Sequence, residues 1–384
     1  MTIKALNYHV SDSQIADLRA RLSMTRWPDQ APDAPWSYGT DVSYLRKLTD
    51  YWLNDFDWRS QEAKLNEFPQ FMVPVAGINL HTLHVLGKGP NPKPLLLLHG
   101  WPGSVFEFID IIKLLTDPAA FGGDSANAFT VVAPSLPGYG LSFQPGQKRF
   151  GVRQIADAAV ELMSALGYSR FGVQGGDWGS LISTCLGLHH PSCITGIHLN
   201  FLAAIRRDLA LYKDADPETQ DFFSQLKHFA AEEAGYQIIQ GTKPQTLAFA
   251  LTDSPVGLAA WFVEKFRTWT DCGGNPEAAL NRDQMLADIS FYWFTGCIGS
   301  SFWPYYERLH SPWLVPEGTT VDIPLGYAQF PCEIIRPPRM IAEKVFSNIQ
   351  RWSVMPKGGH FAAMEQPEAL ASEVTEFFRN IRVR

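Results

Sequence analysis

The sequence has no apolar stretch approaching the roughly 18 residues that a membrane span requires. Its first residues, Met1-Thr2-Ile3-Lys4-Ala5-Leu6-Asn7, carry neither the apolar segment nor the cleavage signature of an export signal. Cysteine is scarce: five in 384 residues (Cys185, Cys193, Cys272, Cys297, Cys332), widely spaced and without a C-x-x-C pair. An odd, scattered set disfavours a disulfide framework and a structural zinc, and points to reduced thiols. Long basic runs are missing too, and a net charge of -7 disfavours a nucleic-acid partner. Internal repeats and low-complexity segments are lacking. The expectation is a soluble, cytoplasmic chain with no membrane anchor.

What is present is apolar and aromatic. Hydrophobic residues make up 46% of the chain and aromatics 13%, enough for a large core and an apolar pocket. Residues 1–67 read as a helical, meander-like extension: Ser11-Asp12-Ser13 can cap a helix, and Ile15, Leu18 and Leu22 share one face. Phe71–Val75 and Asn79–Val85 flank a turn and suggest a β-hairpin. Pro94-Leu95-Leu96-Leu97-Leu98 is the continuous apolar run of a strand buried on both faces. Strand and helix then alternate to about residue 200, the rhythm of a mostly parallel, doubly wound α/β sheet. Residues 201–315 are helix-like and aromatic, which suggests a lid over the strand ends. Strand signals return at Leu325–Phe330 and Trp352–Met355, before a last helix over about 367–381. The expected parts are therefore an extension (1–67), a first core half (68–200), a lid (201–315) and a second core half (316–384).

One stretch organises these parts: Phe171-Gly172-Val173-Gln174-Gly175-Gly176-Asp177-Trp178-Gly179-Ser180. A short apolar run enters a glycine pair, turns at an acid and leaves into a helical pattern. That layout resembles the nucleophile elbow of α/β-hydrolases, with aspartate where esterases carry serine. A carboxylate there would form an alkyl ester rather than an acyl-enzyme. Aspartate is also a favoured helix cap, so the elbow needs partners before it means chemistry. His360, in Lys357-Gly358-Gly359-His360-Phe361, lies between a predicted strand and the last helix and can serve as base. Glu333 follows a strand-like run and can orient it; the bland alternative is a pair with Arg336 or Arg339. Oxyanion donors are expected from the backbone N–H of Trp178 and of Trp101, the latter in His99-Gly100-Trp101-Pro102-Gly103.

These motifs closely resemble those of the microsomal type of epoxide hydrolase, including its soluble fungal and bacterial members. His99–Ser104, Gly175–Gly179 and Gly358–Ala363 match its motifs almost letter for letter; Arg26-Trp27-Pro28, Trp36–Gly39 and Phe56–Arg59 are similar to its N-terminal segment. The resemblance spans essentially the whole chain. It implies Asp177 as nucleophile, Glu333 as relay acid and His360 as base, with neither metal nor organic cofactor. It also implies two lid tyrosines that hydrogen-bond the epoxide oxygen. Tyr236 matches the first; spacing selects Tyr305 for the second, with Tyr306 beside it. The resemblance further suggests a small-molecule epoxide as partner and weakly supports a homodimer. Mammalian members carry a membrane anchor and this chain begins at the soluble segment, so a microsomal location is not expected to transfer. Phe222, Phe223, Trp261, Phe262, Trp269, Phe291, Trp293 and Trp303 suggest an apolar aryl or alkyl epoxide, without showing which of them faces the pocket. A haloalkane dehalogenase shares the aspartate elbow and is the nearest enzymatic rival; a silent ligand-binding protein is the rival of another class.

Overall fold

The apolar run before the first glycine motif becomes the centre of the sheet. Its leucines, Leu95 to Leu98, are fully buried, as a strand covered by helices on both faces must be. The computed structural model describes residues 2–33, 35–206, 216–379 and 381. Among them the strands are β1 (Lys4–Leu6), β2 (Gln70–Val75), β3 (Ile78–Val85), β4 (Lys93–Leu98), β5 (Phe129–Pro134), β6 (Phe171–Gly175), β7 (Ile194–Leu199), β8 (Leu325–Gln329) and β9 (Ile349–Val354). They form one sheet in the order β1-β2-β3-β5-β4-β6-β7-β8-β9. Pairing is antiparallel from β1 to β5 and parallel from β5 to β9.

Strand order reverses around β4, which lies between β5 and β6. The connections leaving β4 and β6 therefore diverge, opening a crevice at their carboxyl ends where α/β sheets bind ligands. The histidine-glycine loop and the aspartate elbow emerge there. Helices α1 (Asp12–Ser23), α2 (Val42–Asn54), α3 (Trp58–Asn66), α4 (Ile109–Thr116), α5 (Val152–Ala165) and α6 (Asp177–His189) precede the lid interval. That interval contains α7 (Pro217–His228), α8 (Gly235–Thr242), α9 (Pro244–Asp253), α10 (Pro255–Trp269), α11 (Arg282–Thr295), α12 (Ile298–Ser301) and α13 (Trp303–His310). Residues 207–215, inside the interval expected to be lid, lie outside the described residues. Then come α14 (Arg339–Ala342), α15 (Ala362–Glu365) and α16 (Pro367–Arg379).

The capping expected at Ser11 is realised as a reciprocal pair: its hydroxyl accepts from the Gln14 N–H, and the Gln14 side chain returns to the Ser11 N–H. The extension differs from its sequence reading by the edge strand β1 and the short helix α3. Three residues are too few for alternation to show. The N-terminal residues also bond to the 201–315 interval. Thr40 Oγ1 donates to the Ala260 carbonyl (2.6 Å), Tyr51 OH to Asp283 (2.9 Å) and Trp52 Nε1 to Ser290 Oγ (3.0 Å). No single helix among the described residues is long and apolar enough to cross a membrane.

Candidate active site

Asp177 adopts φ 43°, a left-handed conformation uncommon for a residue with a side chain. Strand β6 must turn sharply into α6 here, which lifts the carboxylate above the strand ends. The turn also demands close approach. A Cβ on Gly179 would lie 2.0 Å from the Leu98 carbonyl oxygen, so only glycine lets α6 rest on β4.

The carboxylate is met from several sides. Trp101 N–H donates to Asp177 Oδ1 at 2.8 Å. His99 braces the loop that presents it: its Nε2 accepts from Leu136 N–H (3.1 Å), and its Nδ1 lies 3.0 Å from the Gly100 carbonyl. Burial pushes the His99 pKa down to about 4, consistent with a neutral ring that donates at one nitrogen and accepts at the other. Among the described residues no hydrogen bond joins Trp178 N–H to the Asp177 carboxylate.

His360 Nε2 stands 3.4 Å from Asp177 Oδ2, and its Nδ1 is 2.6 Å from Glu333 Oε1. The same Glu333 oxygen accepts from Ile334 N–H at 2.7 Å. The bland alternative for Glu333 is not realised, since Arg339 pairs with Glu343 and Arg336 reaches Gln225. Burial opposes the charged imidazolium, but the Glu333 charge and the hydrogen bonds to Asp177 and Glu333 outweigh it. They hold the His360 pKa well above the ordinary histidine range. Burial raises Glu333 as well, with His360 acting against it.

The phenols come from α8 and α13. Tyr236 on α8 stacks on the Trp101 indole (5.4 Å, 11°), and Tyr305 on α13 stands edge-on to Trp178 (4.6 Å, 88°). Both rings are buried and both line, with Asp177, a cavity of about 380 Å³. Tyr306 is turned away, stacked between Trp303 and His310. Burial raises the pKa of both phenols, with the Asp177 carboxylate adding to it, so each remains a proton donor at neutral pH.

The matches to known proteins decide the identity. Residues 3–108 match the family described as epoxide hydrolase N terminus, and residues 93–249 match that described as alpha/beta hydrolase fold. A protein of Stigmatella aurantiaca, provisionally named an epoxide hydrolase, is 44% identical over 98% of this chain and 84% of its own. The chain belongs to the epoxide hydrolase family. Epoxide hydrolase 1 of Oryctolagus cuniculus is 38% identical, covering 98% of this chain and 88% of that one. The crystal structure of juvenile hormone epoxide hydrolase from Bombyx mori superposes with a TM-score of 0.89 at 30% identity, over 99% of this chain and 95% of that one.

The walls of this epoxide hydrolase's cavity differ from the aromatic set suggested by sequence. Of that set, only Phe223 lines the cavity among the described residues. Phe262, Trp269 and Phe291 are buried in the core, Phe222 packs with Ile341, and Trp303 stacks on Tyr306. Leu226, Phe229, Trp313 and Ile335 form apolar wall instead. Two arginines join them. Arg206 donates to the Pro316 (2.9 Å) and Thr319 (2.8 Å) carbonyls, and Arg308 lies over the Trp313 ring.

Two charged residues near the site were not foreseen. Lys265, paired with Glu264 at 2.7 Å, sits over the Tyr236 ring at 4.6 Å. Glu107 lies behind the nucleophile, in the run Val105-Phe106-Glu107-Phe108-Ile109. A lone acid in an apolar segment was its only signal.

Proposed function

We propose that this epoxide hydrolase opens an apolar epoxide through a covalent ester on Asp177. The observation that supports this most directly is the placement of Asp177 between two buried phenols and the His360–Glu333 pair. The carboxylate attacks a ring carbon in line, the C–O bond breaks, and Tyr236 and Tyr305 hydrogen-bond the oxygen that becomes an alkoxide; a phenol passes it the proton that makes it a hydroxyl and is reprotonated from solvent. Charge on that oxygen develops mainly in the transition state, so these donors lower the barrier rather than merely tightening binding. His360, oriented by Glu333, then takes a proton from water, whose oxygen attacks the Asp177 carboxyl carbon. Trp101 and Trp178 N–H groups stabilise the resulting oxyanion. Collapse breaks the ester bond, and the diol leaves with the proton returned by His360. The lid, read as residues 201–315, keeps bulk water from the alkylation step.

A single turnover in oxygen-18 water tests the ester directly. The first diol formed should be unlabelled, with label in the Asp177 carboxyl; label in that first diol would mean direct attack by water. The phenols also distinguish this reaction from dehalogenation, where a departing halide calls for indole or amide donors. Tyr305→Phe should lower the rate of ester formation by roughly 100-fold, the scale of losing one preorganised donor. Tyr306→Phe should leave that rate within about twofold, because its ring is stacked away from the cavity. Equal effects in the two variants, measured by stopped flow, would refute the assignment.

A further inference from the structure

Asp177 faces two cavities, and among the described residues it alone lines both. The front cavity holds the lid phenols. The rear one is about 20 Å³ and is lined by His360, Gln174, Asn200 and Glu107 around the back of the carboxylate. That volume suits one water, which needs at least about 10–15 Å³ and two to four polar partners. Gln174 is already committed, its amide donating to Asn200 Oδ1 at 2.7 Å. Glu107 is not: no hydrogen bond to its carboxyl is found among the described residues. Its position depends on a missing side chain, because a Cβ on Gly103 would fall 1.5 Å from Glu107 Oε1.

We propose that the rear chamber is the binding site of the hydrolytic water, and that Glu107 holds this water between His360 Nε2 and the Asp177 carboxyl carbon. The proposal rests on the covalent reading above. Substrate then enters from the front and water attacks from the back, so the esterified alkyl group does not block the approach of water. In that step one water O–H gives its proton to His360 Nε2. The other O–H stays intact and donates a hydrogen bond to Glu107, while the oxygen's lone pair forms the new bond to the Asp177 carboxyl carbon. Glu107 neither gains nor loses a proton. Burial, with Asp288 and Asp177 nearby, raises its pKa well above the carboxylate norm, and the neutral acid's carbonyl oxygen still accepts.

The experiment is single-turnover kinetics of the full-length enzyme with styrene oxide, following ester formation and ester breakdown separately in wild type, E107Q and E107L. E107Q is nearly isosteric and keeps an accepting oxygen; E107L fills the space with an apolar group. Breakdown should slow at least about 30-fold in E107L and no more than about fivefold in E107Q, with ester formation within about twofold in both. Equal slowing of both steps in E107L, or breakdown at the wild-type rate, would overturn the assignment of Glu107 while the ester itself is still seen. A wild type that forms no ester would instead overturn the covalent reading, and this proposal with it.

Discussion

Replacing His360 by glutamine should trap the enzyme as its alkyl ester. Steady-state diol formation is expected to fall by about 10⁴-fold, the upper range for losing a positioned general base. Ester formation should persist, because Asp177 needs no base to attack. Glutamine can occupy the imidazole's space while lacking a group that takes a proton at neutral pH. Intact-mass measurement after mixing with substrate would show one equivalent of added epoxide mass, and peptide mapping would place it on Asp177. A His360→Gln protein that loses turnover without gaining mass would show that His360 acts before or during ring opening. The geometry makes the expected outcome specific. His360 stands 3.4 Å from Asp177 and lines the small chamber, whereas the phenols line the larger cavity.

Much of this arrangement was legible in the sequence because its signals are local. Leu95–Leu98 and Phe129–Pro134 are short, continuous apolar runs, which a sheet buried on both faces requires. The elbow was legible because its glycines are fixed by backbone approach, and Gly179 against the Leu98 carbonyl shows the contact that enforces it. His360 and Glu333 could be named from the chain order of nucleophile, acid and histidine at strand ends. What stayed hidden depends on packing between distant segments. Tyr305 was preferred to Tyr306 only through spacing within the family resemblance; the two are neighbours about 100° apart around a helix, and the docking of α13 on α8 sets which ring enters the cavity. Which aromatics face the pocket stayed open for the same reason, since a phenylalanine in a core and one facing a pocket look alike in sequence. Glu107 is a lone acid in an apolar segment, and nothing local says which way it faces. It is turned inward because Gly103, four residues earlier, leaves room for its carboxyl.

The Glu333–His360 pair carries the second large prediction. In the free enzyme the Glu333 charge and the Asp177 carboxylate both favour the imidazolium, against the opposing effect of burial. Ester formation removes the Asp177 negative charge. One support of the imidazolium is lost, so the His360 pKa falls and the ring becomes available as a base when the ester awaits water. The proton it releases balances the one taken up by the ring oxygen during opening. Ester breakdown should therefore rise with pH through the His360 pKa of the intermediate and then level off. Glu333→Gln should lower that plateau by about 10³–10⁴-fold, the scale seen when an orienting carboxylate becomes an amide and the imidazole loses its reactive tautomer. It should also move the rise to lower pH, since removing the buried anion destabilises the imidazolium. Pre-steady-state measurement of ester breakdown across pH would read both effects. A lowered plateau whose midpoint stays in place would mean that Glu333 orients the ring without stabilising its charge, contrary to the 2.6 Å contact between Glu333 Oε1 and His360 Nδ1.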